Sequence, residues 1–166
     1  MRVAIATLNQ MDQDEFVGVL GEIFEQTPSI AREVWFQRPF QDGDDLHKKM
    51  AQIVQNFEAP AQLALIRAHP DLGSRLKMAE ASVKEQAGVG LDRLSAEEYD
   101  QFQSLNQAYK DKFAFPFIIA VRNHTKASIL EAFHRRLQNG LETEQQQAIV
   151  EIIQIARFRL MDLLKP

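Results

Sequence analysis

A chain of 166 residues, 45% hydrophobic and 25% charged, is long enough to organise one core of its own, since single cores span about 100–200 residues. It has no cysteine, which excludes a disulfide scaffold and fits a reducing cytoplasm. Its net charge of −4, from 19 Lys+Arg against 23 Asp+Glu, leaves no basic face for a phosphate backbone, so nucleic acid is not an expected partner. Nor is a membrane: no apolar run approaches the roughly 20 residues of a spanning helix, and the opening MRVAIATLNQMDQDEF is too short in apolar residues for a signal peptide. The expectation is a soluble, cytoplasmic chain whose residues 1–166 form a single helical domain.

Apolar positions recur at helical spacing in nearly every segment, so the fold class is all-α, with about eight helices. Asp12 and Glu15 form a capping box ahead of Phe16, Val19, Leu20, Ile23 and Phe24, which share one helical face. Thr27-Pro28 opens the next helix, towards Trp35, with proline at a position whose N–H has no partner anyway. Arg38-Pro39 and a turn at Asp42-Gly43-Asp44 break the chain before the stripe Leu46, Met50, Ile53, Val54, Phe57. Ala59-Pro60 starts a short helix that ends near His69-Pro70, because the residue before proline is pushed out of the α region.

Ser95 and Glu98 form a second capping box, followed by Tyr99, Phe102, Leu105, Asn106, Tyr109 and Phe113. A helix from Thr125 carries Ile129, Leu130, Phe133 and Leu137, with Gly140 as a left-handed stop. The last helix is expected from Thr143, with Gln146 as its box partner, and carries Ile149, Val150, Ile153, Ala156, Leu160 and Leu163.

Two stretches escape this pattern. Residues 68–90 mix helical pieces with Gly73, Gly88 and Gly90, and residues 113–122 form an apolar run interrupted by Pro116. The second stretch has two readings. It is a core helix kinked at proline, or it is extended, in which case its backbone groups lack ladder partners and must find side chains, water or a ligand.

Of the four histidines, His47, His69, His124 and His134, no two stand at the i, i+4 spacing that places two imidazoles on one metal, so no metal site is expected. No Gly-x-Ser-x-Gly elbow, phosphate loop or dinucleotide fingerprint is present. His69 stands at a helix end against Pro70, either as an acid/base station facing a cleft or as an imidazole bonded to a backbone carbonyl. Ser82, Glu85 and Gln86 group a hydroxyl, a carboxylate and a carboxamide, which also reads as a simple capping box. Arg122 ends the apolar run and either aims a fork of donors at an oxygen-bearing group or lies along the surface.

Taken in order and spacing, Ala68-His69-Pro70-Asp71-Leu72-Gly73, then Ser82-x-x-Glu85-Gln86, then Phe115-Pro116-Phe117-Ile118-Ile119-Ala120-Val121-Arg122 resemble the OHCU decarboxylases. The similarity extends to LNQMDQDEF, the Trp35 region and the final helix. The resemblance implies a helical enzyme that converts 2-oxo-4-hydroxy-4-carboxy-5-ureidoimidazoline to (S)-allantoin with neither metal nor organic cofactor. It implies that His69 is the proton donor, fixed by Pro70, and that Ser82, Glu85 and Gln86 hold ureido and ring nitrogens. The backbone from Phe117 through Ile119 to Val121 would line the ring, and Arg122 would orient an oxygen-bearing group, with Glu85 and Arg122 sharing the chemistry with His69. Members of the family are often homodimers, and apolar residues of the last helices are the candidate interface. The ending Leu-Leu-Lys-Pro differs from the peroxisomal Ser-Lys-Leu signal of some relatives.

Two non-enzymatic readings compete. His-Pro-Asp also occurs in the J-domain of heat-shock co-chaperones, but those domains are about half this length and carry a basic helix before the motif, where residues 45–57 here are mixed in charge. A helical protein-interaction module is compatible with all-α composition and predicts no polar pocket around His69.

Overall fold

The structure, a computed structural model, describes residues 2–72 and 94–166. Among the described residues there are eight α-helices and two short 3-10 turns, with one isolated parallel bridge between Val3 and Leu164, so the all-α expectation holds. The chain groups into two compact units, residues 1–68 with 153–166, and residues 69–152.

The first unit opens with α1 (Ile5–Gln10), which the sequence pattern does not announce: it has no side-chain cap and buries only Leu8. The Asp12–Glu15 box starts α2 (Gln13–Leu20) as expected, with Glu15 N–H donating to Asp12 Oδ1 at 2.9 Å and Asp12 N–H to Glu15 Oε2 at 3.1 Å. Ile23 and Phe24 are buried but not on this helix. It ends at Gly21, where a Cβ would stand 2.6 Å from the Val17 carbonyl oxygen, and Gln26 at φ 48° then redirects the chain. In α3 (Ser29–Val34) Pro28 is the N-cap, one place earlier than expected, and the Thr27 hydroxyl donates to the Glu25 carbonyl instead.

Asp42 caps α4 (Gly43–Gln55) by accepting from Asp45 N–H at 2.8 Å, so Gly43 is the first helical residue rather than the middle of a turn. Leu46, Met50, Ile53 and Val54 form the buried stripe, while Phe57 lies beyond the helix end and is half-buried. Helix α5 (Ala59–Ala68) follows the expected boundaries. Helices α2, α3 and α4 pack together around Phe16, Leu20, Ile30, Val34, Leu46 and Met50. Taking each of these large side chains out of water contributes about 1.5–3 kcal/mol of apolar burial.

In the second unit, α6 (Ala96–Phe113) starts at the expected Ser95–Glu98 box. It stops where Ala114 takes a left-handed conformation, φ 60°. Phe102, Asn106, Tyr109 and Phe113 are its buried face, but Tyr99 is 51% exposed and not part of the core. Helix α7 (Lys126–Arg136) is capped by Thr125 with Ser128 as its partner. Gly140 does not stop it in a left-handed conformation; α7 closes at Leu137 in the right-handed region. The Gly140 carbonyl instead accepts the Glu144 N–H, opening α8 (Leu141–Leu163) two residues before Thr143. The buried side of α8 carries Ala148, Ile149, Ile152, Ile155, Ala156 and Leu160, whereas Val150 is 52% exposed. The residues of α8 up to Ile152 belong to this unit and those from Ile153 to the other.

Candidate active site

Helix α5 ends at Ala68 because the ring of Pro70 disfavours the α region at His69. His69 is nonetheless buried, 7% exposed, as is Leu72. Asp71 points its carboxylate at α6, where Lys110 Nζ donates to Oδ2 at 2.8 Å. A buried imidazole on a turn braced by an ion pair satisfies the geometric demand on an acid/base group, which must stand still relative to what it protonates.

The apolar run after α6 is neither helix nor strand from Ala114 to Ala120, and it closes in the 3-10 turn Val121–Asn123. Of the two readings open at the level of sequence, the kinked helix is wrong. Every residue from Phe115 to Val121 is buried, so each backbone group needs a partner or carries a desolvation penalty of about 1–3 kcal/mol. Side chains supply part of the answer. The Ile118 carbonyl accepts from Arg136 Nη1 at 2.6 Å, and Ala120 N–H donates to Glu151 Oε1 at 3.3 Å. The carbonyls of Ala120 and Val121 take the N–H groups of Asn123 and His124. Among the described residues, no protein group meets the backbone N–H or C=O of Phe117 or of Ile119. The same holds among the described residues for both backbone groups of Phe115, the Pro116 carbonyl and the N–H groups of Ile118 and Val121, so Phe117 and Ile119 belong to a run that as a whole offers backbone groups to a ligand or water.

The segment is held by a buried polar cluster. Tyr109 on α6 donates its hydroxyl to Glu144 Oε1 at 2.5 Å, Arg136 Nε donates to the same oxygen at 2.8 Å, and Asn139 Nδ2 donates to Oε2 at 2.9 Å. Burial first, and then the Glu144 carboxylate it donates to, push the Tyr109 hydroxyl far above the usual phenol range, so it stays a donor. The Arg136 guanidinium lies over the Phe117 ring, 4.4 Å to its centroid, and Phe117 also stacks on Phe133 with centroids 3.7 Å apart. Tyr109 meets Phe115 and Phe117 edge-on at 5.8 and 5.1 Å.

His69, Pro70, Phe117, Ile119, Val121 and Arg122 therefore all lie in the second unit. Two neighbouring residues of α6 brace both parts: Lys110 holds the turn that follows His69, and Tyr109 packs against Phe117. Pro70 is half-buried, and Arg122 is on the exposed side of the 3-10 turn. Ser82, Glu85 and Gln86 fall outside the described residues. The sequence reading passed over Arg136 and Glu144, although a basic residue at a helix end and an acidic one eight residues on are a spacing that a helix–turn–helix can close. Asn106, placed by its spacing on the inward stripe of α6, is 6% exposed and among the described residues has no partner for Oδ1; the near-buried pair of Arg159 and Glu25 in the first unit, 2.9 Å apart, has no signal in the sequence pattern. Among the described residues no group of three or more His, Asp or Glu side chains is arranged to hold a metal ion.

A family model described as OHCU decarboxylase matches residues 9–161. The chain belongs to the OHCU decarboxylase family. It is 42% identical to the 2-oxo-4-hydroxy-4-carboxy-5-ureidoimidazoline decarboxylase of Halalkalicoccus jeotgali, over 99% of this chain and 94% of that one. It is 46% identical to a uric acid degradation bifunctional protein of Bacillus subtilis, over 95% of this chain but 32% of that longer protein. Among solved structures, that of an (S)-allantoin synthase superposes with a TM-score of 0.81 at 30% identity, covering 98% of this chain and 54% of that one. The helical fold is thus that of an OHCU decarboxylase family member.

Proposed function

We propose that this chain is a carboxy-lyase that converts 2-oxo-4-hydroxy-4-carboxy-5-ureidoimidazoline to (S)-allantoin in urate breakdown, with His69 as the proton donor. Membership of the family supports the reaction. One structural observation carries the site: a buried histidine and a buried extended segment with free backbone groups at Phe117 and Ile119 are braced by adjacent residues of one helix.

The substrate supplies its own electron sink. Carbon dioxide leaves from the ring carbon that bears the hydroxyl, and the bonding pair moves into the adjacent C=N system. A proton then arrives at the neighbouring ring carbon while the hydroxyl becomes the carbonyl of allantoin. No redox change occurs and no co-reactant is consumed. The protein's part is to hold the ring against the Phe117–Val121 backbone in a site poor in water, and to deliver the proton on one face. His69 on a single side of the ring gives one hand of product. Pro70 fixes the imidazole, Ser82, Glu85 and Gln86 hold the ureido and ring nitrogens, and Arg122 orients an oxygen.

The whole of residues 1–166 works as one catalytic domain, in a cytoplasm where a chain without cysteine needs no oxidising compartment. It acts as a homodimer; Leu141 and Val150, 54% and 52% exposed on α8, are apolar side chains available to such an interface, and light scattering after gel filtration reads the mass.

The test is circular dichroism of freshly generated urate-oxidation intermediate with wild-type protein and with His69→Ala. Rapid appearance of optically active allantoin with wild type, slowed on the order of a hundredfold or more in the variant, is the expected result. A folded wild type that does not accelerate the reaction would overturn the decarboxylase reading. Equal rates for the two proteins would leave the enzyme and remove His69 from its mechanism.

A further inference from the structure

We propose that Arg136, held by Glu144, is a positioning residue for substrate binding: it sets the backbone of residues 117–121 in the shape that leaves Phe117 and Ile119 free to meet the ring. The inference rests on the functional reading above and adds to it a residue that does not touch substrate.

A buried segment that is neither helix nor strand needs some other group to fix its shape. Outside a ladder, nothing in the backbone itself fixes φ and ψ, and each uncommitted residue retains conformational entropy worth about 1–2 kcal/mol. Some other group must select one conformer. Arg136 makes two contacts on this segment: Nη1 on the Ile118 carbonyl at 2.6 Å and the guanidinium plane over the Phe117 ring at 4.4 Å. One group therefore fixes both a peptide plane and the side chain before it. Its own orientation is fixed in turn, because Nε reaches Glu144 Oε1 at 2.8 Å, and Glu144 is held by Tyr109 and Asn139. With Arg136 at 2% and Glu144 at 0% exposure, water cannot substitute for either.

The pair's buried position decides between a stabilising and a positioning role. A buried ion pair gives little net stability compared with apolar residues of the same volume, because desolvation offsets the attraction. What it does supply is direction. The rigid fork of arginine can serve Glu144 and Ile118 at once, and a lysine ammonium has one point of charge to place.

The experiment compares wild type with Arg136→Lys, which keeps the charge beside Glu144 and loses the fork, and with Tyr109→Phe, a milder change that removes one hydroxyl and leaves the rings packed. Amide hydrogen exchange is read by mass spectrometry, and steady-state constants are read by circular dichroism on fresh intermediate. The expected result in Arg136→Lys is faster exchange by roughly tenfold or more confined to peptides spanning 115–121, and KM raised about tenfold with kcat within about threefold. Tyr109→Phe should show the same pattern at smaller size. Folded variants with wild-type exchange in 115–121 and unchanged KM would overturn the proposal. So would faster exchange throughout the chain with KM unchanged, since loss of folded fraction lowers apparent kcat alone. If wild type does not decarboxylate, the functional reading fails, and the exchange comparison still decides whether Arg136 sets this segment.

Discussion

Lys110 Nζ donates to Asp71 Oδ2 at 2.8 Å across 39 residues of chain, joining the helix that packs on Phe117 to the turn that carries His69. Both side chains are partly exposed, 40% and 27%, so screening by solvent keeps the pair's contribution to stability near the 0–1 kcal/mol typical of surface pairs, roughly. Its larger effect is on where His69 stands. Lys110→Met is expected to change unfolding free energy by less than about 1 kcal/mol while lowering kcat by about tenfold, because a displaced acid loses much of its catalytic advantage. The exchanged pair Lys110→Asp with Asp71→Lys restores part of that loss. Urea unfolding measured beside turnover separates the two effects, and a kcat that stays at the wild-type value in Lys110→Met would remove the brace from the mechanism.

Tyr109 gives a pH dependence whose sign is fixed. Its hydroxyl is held protonated by burial and by Glu144, above the ordinary phenol value of 10.0. The folded protein therefore holds this proton more tightly than the unfolded chain does. The resulting stability is fully present below about pH 10 and declines as the pH rises beyond it. Wild type is expected to lose stability through the alkaline range more steeply than Tyr109→Phe, and one of the chain's two tyrosines should ionise only together with unfolding. Absorbance at 295 nm followed alongside far-ultraviolet circular dichroism checks this; ionisation of both tyrosines in the folded protein would contradict it.

The parts of this fold legible from sequence are the ones decided locally. Asp12, Ser95 and Thr125 each cap a helix a few residues away, and the structure places all three helix starts where those side chains predict. Gly43 and Gly140 were misread for the converse reason: glycine tolerates a turn but does not impose one, and neither takes a left-handed conformation here. Pro116 in an apolar run marked the segment after α6 as irregular. The groups that hold it were not visible, because Arg136 stands among His134 and Arg135 at a helix end and looks like part of a solvated basic turn. Its burial is a tertiary fact, set by Glu144, Tyr109 and the Phe117–Phe133 stack. That α5 ends ahead of His69-Pro70, and that the run around Pro116, once extended, lacks ladder partners, were legible from the two prolines.

The first unit contains a second charge pair with a consequence for stability. Arg159 on α8 donates from Nη1 to Glu25 Oε2 at 2.9 Å, with side-chain exposures of 8% and 7%, and Glu25 sits beside Gln26, whose φ of 48° turns the chain towards α3. Removing the arginine leaves a carboxylate in a site that water barely reaches. Arg159→Met is therefore expected to destabilise the protein by about 3–5 kcal/mol, well above the median of about 1 kcal/mol for single substitutions. Glu25→Met combined with Arg159→Met should recover most of the loss, because apolar side chains of similar volume carry no desolvation penalty. A double-mutant cycle by urea unfolding measures the coupling directly. Additive losses, with the double variant as unstable as the sum of the two single ones, would show that the two charges do not depend on each other.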